Sequence, residues 1–141
     1  MPRNAGPGPT LGRAVTIRNV VLAVAGAVVL VLGSAYHGPF TEAIHAHAGN
    51  VAVSFALYFA ALNATARSRW PRLLAASLTL LAVELFEVTD GFGVMANTYD
   101  PVDLVANAAG VGLAVIVDLG TTRVLRSCHE RRPGHRGGAS T

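Results

Sequence analysis

Four polar side chains interrupt the apolar second half of the chain in a way that could support chemistry. Glu84 and Glu87 end one apolar stretch and are three residues apart, which places them on one edge of a helix. Asp103 and Asn107 open the next apolar stretch and, four residues apart, share a helix face. A carboxylate in an apolar helix requires a partner, a proton or a cavity. We therefore treat these four residues as a candidate polar site for hydrogen-bonded recognition or general acid–base work.

Histidines form a second group with chemical potential. His37, His45 and His47 lie close to Glu42, and a His-x-His pair with a glutamate could bind a metal ion. That spacing is common by chance and no second fixed motif accompanies it. We expect no metal and no cofactor here, and we expect the histidines to be groups at the membrane interface.

Other catalytic signatures are missing from the sequence. The single cysteine, Cys128, excludes an internal disulfide and a cysteine-based zinc site. Neither a nucleophile motif nor a phosphate-binding glycine loop is present. An enzyme is therefore the less favoured interpretation.

The composition indicates that the chain lies in a membrane. Of its 141 residues, 52% are hydrophobic and only 13% are charged, so a soluble domain of this size could not cover its surface with polar groups. The formal net charge is +3 and all 11 basic residues are arginine. These arginines lie in short runs beside apolar stretches, where they orient helices in a membrane, so we expect no nucleic-acid partner.

Four stretches are long and apolar enough to cross a bilayer, which takes about 20 residues. They predict an all-α, polytopic membrane bundle of four transmembrane helices within a domain of residues 14–126. The Gly/Pro/Arg-rich ends, residues 1–13 and 127–141, are predicted to be disordered tails. An alternative for the first span is a cleaved signal peptide, since Gly33–Ala35 resembles a small-residue cleavage site. The predicted spans are at about 14–36, 48–66, 71–89 and 102–124.

The positions of the arginines predict the topology. The loops at residues 37–47 and 90–101 contain no arginine, so a four-span arrangement puts every arginine on one side. The positive-inside rule makes that side cytoplasmic, with both termini inside and the chain in the bacterial cytoplasmic membrane. The arginines fall in three groups: Arg3, Arg13 and Arg18; Arg67, Arg69 and Arg72; Arg123, Arg126, Arg131, Arg132 and Arg136.

One face of the fourth span carries a stripe of small and polar residues. Gly110 and Ala114, in its middle, are predicted to permit close helix packing. Asp118, at its inner end, is predicted to pair with Arg18, Arg72 or Arg123. The stripe consists of Asp103, Asn107, Gly110, Ala114 and Asp118.

The segment ELFEVTDGFGVMANTYDPVDLVANAAGVG, residues 84–112, resembles the corresponding part of VanZ-like proteins. Their pattern is a glutamate near the end of one membrane helix, a polar loop, and D-x-x-x-N-x-x-G opening the next helix. Here Asp103, Asn107 and Gly110 match, and Glu84 or Glu87 is the acidic member. Family members usually also carry a Gln shortly after the glutamate and an Arg in the outer loop, and this sequence has neither.

The resemblance implies a setting rather than a reaction. VanZ-like proteins are small integral membrane proteins whose founding members are linked to low-level teicoplanin tolerance through an effect on the cell envelope. Because intramembrane polar residues are concentrated at one end of two adjacent predicted helices, we expect the polar cluster to recognise an extracytoplasmic headgroup of the membrane lipids or a lipid-linked envelope component. Two alternatives stay open: a homo-oligomeric transporter of ions, protons or small molecules, and a membrane enzyme on a lipid-linked substrate with Glu84 or Asp103 as base.

Overall fold

The computed structural model describes residues 9–89 and 101–130, and these residues form helices without a strand. The predicted all-α class is therefore confirmed. Helix α1 begins at Pro9 and the last helix extends to Glu130, so residues 9–13 and 127–130 are helical rather than tail. The helical segments are α1 (Pro9–Ser34), α2 (Thr41–Ala43), a π-helical segment (Ile44–Ala48), α3 (Gly49–Ala64), α4 (Pro71–Val88) and α5 (Pro101–Glu130).

The second predicted span begins earlier than its apolar pattern indicates. Phe40, with a φ of 64°, turns the chain into α2, which continues through the π-helical segment into α3 without interruption. His45 and His47 therefore lie on a helix rather than in a loop. The wider π-helical turn displaces the side chains before α3 from the register of a regular helix.

Helix α3 is the central element, since α1, α4 and α5 all pack against it. Two glycines permit the closest approaches. At Gly26 of α1, an added Cβ would lie 3.0 Å from the Cβ of Ala56, and at Gly110 of α5 it would lie 2.5 Å from the carbonyl oxygen of Val51. The buried core consists of Tyr58, Phe59, Leu62, Ala75, Val111 and Ala114.

The long helices run antiparallel in chain order. Arg18 near the start of α1 and Arg72 at the start of α4 both contact Asp118 in the second half of α5, and Asn19 contacts Asn63 at the end of α3. These contacts gather the arginines of the described ranges at one end of the bundle, which we call the arginine end. It carries Arg13, Arg18, Arg67, Arg69, Arg72, Arg123 and Arg126.

Two of the four predicted spans are long and apolar enough to cross a membrane by length and composition alone: residues Gly12–Ser34 of α1 and Pro101–Cys128 of α5. Helix α3 has 16 residues, or about 24 Å at 1.5 Å per residue, less than the roughly 30 Å of a hydrocarbon core. Helix α4 is longer but includes Arg72, Glu84 and Glu87. The helical, membrane-compatible character of the chain is thus supported for its first and last long helices.

Candidate functional site

A buried carboxylate at the arginine end, that of Asp118, pairs with two arginines, and its side chain is 1% exposed. Its Oδ1 accepts a hydrogen bond from Nη2 of Arg18 at 2.5 Å, and its Oδ2 accepts one from Nε of Arg72 at 2.5 Å. The hydroxyl of Thr122 also donates to Oδ1 at 3.2 Å. Of the three arginines predicted as partners from the sequence, Arg18 and Arg72 form these ion pairs.

Three helices position this ion-pair cluster. Asp118 continues the buried face of α5 that includes Val111 and Ala114. Pro71 is the first residue of α4, because its fixed φ and missing N–H suit the first turn of a helix. Arg72 is the second residue, so its side chain extends from the arginine end of the bundle. Arg18 reaches the same carboxylate from α1, although α1 and α5 pack little against each other.

Arg18 uses its whole guanidinium for internal contacts. Its Nε and Nη2 donate to Oδ1 of Asn19 at 3.1 and 2.6 Å, and its Nη1 donates to the hydroxyls of Thr121 and Thr122 at 3.0 and 2.7 Å. The side chain is only 11% exposed. A buried cation requires such complete pairing, so Arg18 acts as the fixed counterion of Asp118.

Two further polar residues extend the cluster into α3. Nδ2 of Asn19 donates to Oδ1 of Asn63 at 2.9 Å, which joins α1 to α3 in the bundle interior. Tyr58 is fully buried, and its hydroxyl interacts electrostatically with Asp118. Within the described ranges that hydroxyl forms no hydrogen bond of normal geometry. We call Arg18, Asn19, Asn63, Arg72, Asp118, Thr121 and Thr122 the Asp118 network.

A half-open cavity of about 480 Å³ adjoins the Asp118 network at the arginine end. This volume lies in the range of small-molecule sites. Its lining combines apolar side chains, including Val15, Leu62 and Leu125, with charged and amide groups. The polar lining residues are Thr16, Arg18, Asn19, Asn63, Arg72, Asp118, Thr122 and Arg126.

The predicted polar site lies at the opposite end of the bundle. Two of its members, Asp103 and Asn107, contact the π-helical segment and α3. The Oγ of Ser54 donates to Oδ1 of Asn107 at 2.8 Å, and both side chains are buried. Asp103 Oδ1 lies 2.9 Å from Nδ1 of His47. The side chain of Asp103 is 14% exposed and that of His47 is 34% exposed, so this pair remains accessible at the surface.

The two glutamates of the predicted site differ in placement. Glu87 is 4% exposed and continues the buried face of α4 formed by Ala75, Thr79 and Val83. Glu84 is partly exposed at the edge of the same helix and interacts electrostatically with Glu87. Of the two, Glu87 is thus the one turned into the bundle. The loop at residues 90–100, with Asp90 and Asp100, lies outside the described residues.

Asn19, Asn63 and Ser54 are not among the site residues predicted from the sequence. A signal was available for the first two: each is a polar residue in an apolar stretch, near the end that carries the arginines. In an antiparallel arrangement those ends meet, so the two amides are at similar depth. Ser54 carried no such signal, because an isolated serine is common in membrane helices.

The described residues contain no group of three or more His, Cys, Asp or Glu side chains that could hold a metal ion. His37 and His45 contact each other edge to face, with ring centroids 6.3 Å apart, and His47 faces Asp103 instead. The histidines are therefore divided between two contacts.

Comparison with known proteins returns no match: no protein-family model, no curated protein and no solved structure is similar to the chain.

Proposed function

We propose that the chain is a four-span integral protein of the bacterial cytoplasmic membrane, of the VanZ-like type, which acts on the cell envelope and to which no defined reaction is assigned. One observation carries the membrane part of the proposal: large apolar side chains cover the outside of the long helices. Val24 of α1, Leu81 of α4 and Ile116 of α5 are 56%, 65% and 68% exposed. An apolar surface this extensive is stable in hydrocarbon and not in water.

The packing of α3 and α4 supports four spans rather than two. Helix α3 packs between α1 and α5, which are themselves long enough to cross, and α4 packs against α3 and α5. The charged residues of α4 are near its ends, with Arg72 in the first turn and Glu84 and Glu87 in the last turns, so the sequence between them is uncharged. Helix α3 is short, but α2 and the π-helical segment precede it without interruption, so the continuous helix begins at Thr41.

The arginine end is the cytoplasmic end in this proposal, in accordance with the positive-inside rule. The contacts of His47 with Asp103 and of Ser54 with Asn107 then lie toward the outer leaflet. Because Asp103 and His47 are partly exposed and Asn107 is buried, Asp103 and His47 are the groups that could contact a lipid headgroup or lipid-linked partner. Asn107 and Ser54 would hold α5 against α3 beneath them.

Reporter fusions test the topology. Alkaline phosphatase, which is active only outside the cytoplasm, should be active after residue 40 and inactive after residue 69 or at the carboxyl terminus. A fluorescent protein that matures only in the cytoplasm should give the reciprocal pattern. Phosphatase activity after residue 69, or a monodisperse chain purified without detergent, would contradict the proposal.

Substitution of Asp103 tests the envelope role. In a strain that depends on the chain for teicoplanin tolerance, Asp103→Asn should abolish tolerance while the amount of protein in the membrane stays unchanged. Glu42→Gln is the matched control, because Glu42 is an exposed carboxylate at the same end of the bundle and should retain tolerance. If Asp103→Asn lowers only the protein level, the residue is structural.

One observation favours a membrane enzyme as the second candidate. Asp103 contacts Nδ1 of His47, an arrangement that orients an imidazole as a general base. Release of product from a labelled lipid-linked precursor, lost in His47→Gln, would favour this function. The transport alternative has less support, because Asp118 is occupied by two arginines and Gly110 is packed against α3.

A further inference from the structure

We propose that the cavity at the arginine end binds the phosphate group of an acidic phospholipid, with Arg72 and Arg126 as the binding cations. The proposal rests on the membrane placement proposed above and adds a ligand site at the end of the bundle opposite the contact between His47 and Asp103. Three kinds of observation support it: the charge of the cavity, the hydrogen bonds left available on its arginines, and the apolar groove beside it.

The cavity carries an excess of positive charge. It is lined by Arg18, Arg72 and Arg126 against the single carboxylate of Asp118. Arg18 is nearly buried and its donors are all used by Asp118, Asn19 and the threonines, so it neutralises the carboxylate internally. Arg72 also pairs with Asp118, but the three arginines of the lining still exceed its one carboxylate by two positive charges, which a ligand can neutralise.

Arg72 is held in place while part of its guanidinium stays available. Its Nε donates to Asp118 at 2.5 Å and its Nη2 reaches the hydroxyl of Thr122 at 3.3 Å. Its Nη1 donates to no group within the described residues, and the side chain is 42% exposed where it lines the cavity. A guanidinium fixed on one edge and open on the other suits phosphate, which accepts paired N–H groups.

Arg126 supplies a second cation from α5. It is exposed, lines the same cavity as Arg72, and makes no hydrogen bond or ion pair within residues 9–89 and 101–130. It lies two helical turns beyond Asp118, on the side from which headgroups would approach in the proposed orientation. Arg123, on the same helix, does not line the cavity.

The surroundings favour a lipid over a free phosphate ion. A shallow apolar groove of about 470 Å³ adjoins the cavity between α1 and α5, and both are lined by Arg18 and Leu125. The groove is otherwise formed by Val117, Gly120, Thr121 and Val124. A phospholipid could place its phosphate beside Arg72 and an acyl chain in this groove, whereas a free ion would leave the groove uncovered.

Binding of defined lipids to the full chain in detergent tests the site. Native mass spectrometry should show more bound phosphatidylglycerol than phosphatidylcholine at equal concentration. Arg126→Gln and Arg72→Gln should each weaken phosphatidylglycerol binding roughly tenfold, as expected for loss of a charge-assisted hydrogen bond. Arg123→Gln and Arg67→Gln remove the same charge from exposed positions outside the cavity and should leave binding within about twofold of the original value.

Several outcomes would overturn the proposal. Equal loss in Arg126→Gln and Arg123→Gln would mean that the lipid senses only overall charge. Equal binding of the two lipids would also contradict it, and full competition by inorganic phosphate at millimolar concentration would assign the site to the free ion. Arg126→Gln removes no internal contact, so it separates loss of binding from loss of folding. The reporter fusions fail or succeed independently of these measurements, so the two proposals can be judged separately.

Discussion

Arg72, at the second residue of α4, donates from its Nε to Oδ2 of Asp118 on α5 at 2.5 Å, while Arg18 of α1 occupies the other oxygen of the same carboxylate. One buried side chain thereby joins three helices that pack around α3. Helices α1 and α5 otherwise touch little, so this polar contact is the main link between them at the arginine end. The carboxylate of Asp118 therefore holds these helices together, and a cavity of about 480 Å³ lies beside it.

Removal of the carboxylate should therefore destabilise the bundle strongly. Asp118→Ala leaves Arg18, which is only 11% exposed, without its counterion. Loss of one partner of a buried ion pair costs about 3–5 kcal/mol, and the share from the half-exposed Arg72 is smaller because water screens it. Thermal and denaturant unfolding of the purified chain in detergent would measure the change.

A matched substitution makes this test specific. Glu42→Ala removes an exposed carboxylate at the other end of the bundle and should leave the unfolding midpoint unchanged. If Asp118→Ala unfolds at the same midpoint as the original chain, the Asp118 network does not tie α1 to α5.

Close packing of α5 on α3 gives a second prediction. A methyl group at Gly110 would lie 2.5 Å from the carbonyl oxygen of Val51 and 2.9 Å from the Cβ of Ser54, and backbone atoms cannot move aside cheaply. Gly110→Ala should therefore lower the free energy of unfolding by about 1–3 kcal/mol through overpacking. The same unfolding assay would detect it.

The control for this packing lies two residues further along α5. A Cβ at Gly112 would meet nothing within 4 Å, so Gly112→Ala should be neutral or mildly stabilising because alanine favours helix formation. Equal effects of Gly110→Ala and Gly112→Ala would show that helix propensity, not the contact with Val51, decides the outcome.

The sequence predicts contacts best where one charged group has few candidate partners. The carboxylate of Asp118 needs a cation, and the predicted topology places Arg18 and Arg72 at the same end of the bundle. Two of its three predicted partners indeed pair with it. Hydroxyl and amide groups have no such preference. The contacts Asn19–Asn63 and Ser54–Asn107 depend on how each helix is rotated about its axis. A helix that is apolar on nearly all faces has no single apolar stripe, so its sequence does not fix that rotation.

The helix that begins at Thr41 shows a second way in which the sequence pattern fails to predict the structure. The apolar run predicts a span from about residue 48, whereas the helix begins at Thr41 and passes through the π-helical segment that carries His45 and His47. Histidines and a glutamate suggest a loop by composition. Packing against the start of α5, where Asp103 meets His47, holds them in a helix.

The buried pair of Ser54 and Asn107 should show measurable coupling. The single substitutions Ser54→Ala and Asn107→Ala and the double substitution form a cycle that isolates the 2.8 Å hydrogen bond. Interhelical hydrogen bonds in membranes contribute about 0.6 kcal/mol on average, with a maximum near 1.7 kcal/mol, and we expect a value in this range. Ser54→Ala combined with Asn63→Ala, which share no hydrogen bond, is the control and should be additive.

The pair of His47 and Asp103 should contribute far less to stability than the Asp118 network, although both join two helical segments. Their side chains are 34% and 14% exposed, and even when His47 is protonated the contact is an ion pair open to water, which typically contributes about 0–1 kcal/mol. His47→Gln should therefore shift the unfolding midpoint little, and any shift should shrink as salt is raised, because salt screens exposed charges. Unfolding of His47→Gln and of Asp118→Ala in low and high salt gives the comparison. A loss in His47→Gln as large as in Asp118→Ala, and unchanged by salt, would show that His47 is structural and remove the basis for assigning it a role in recognition.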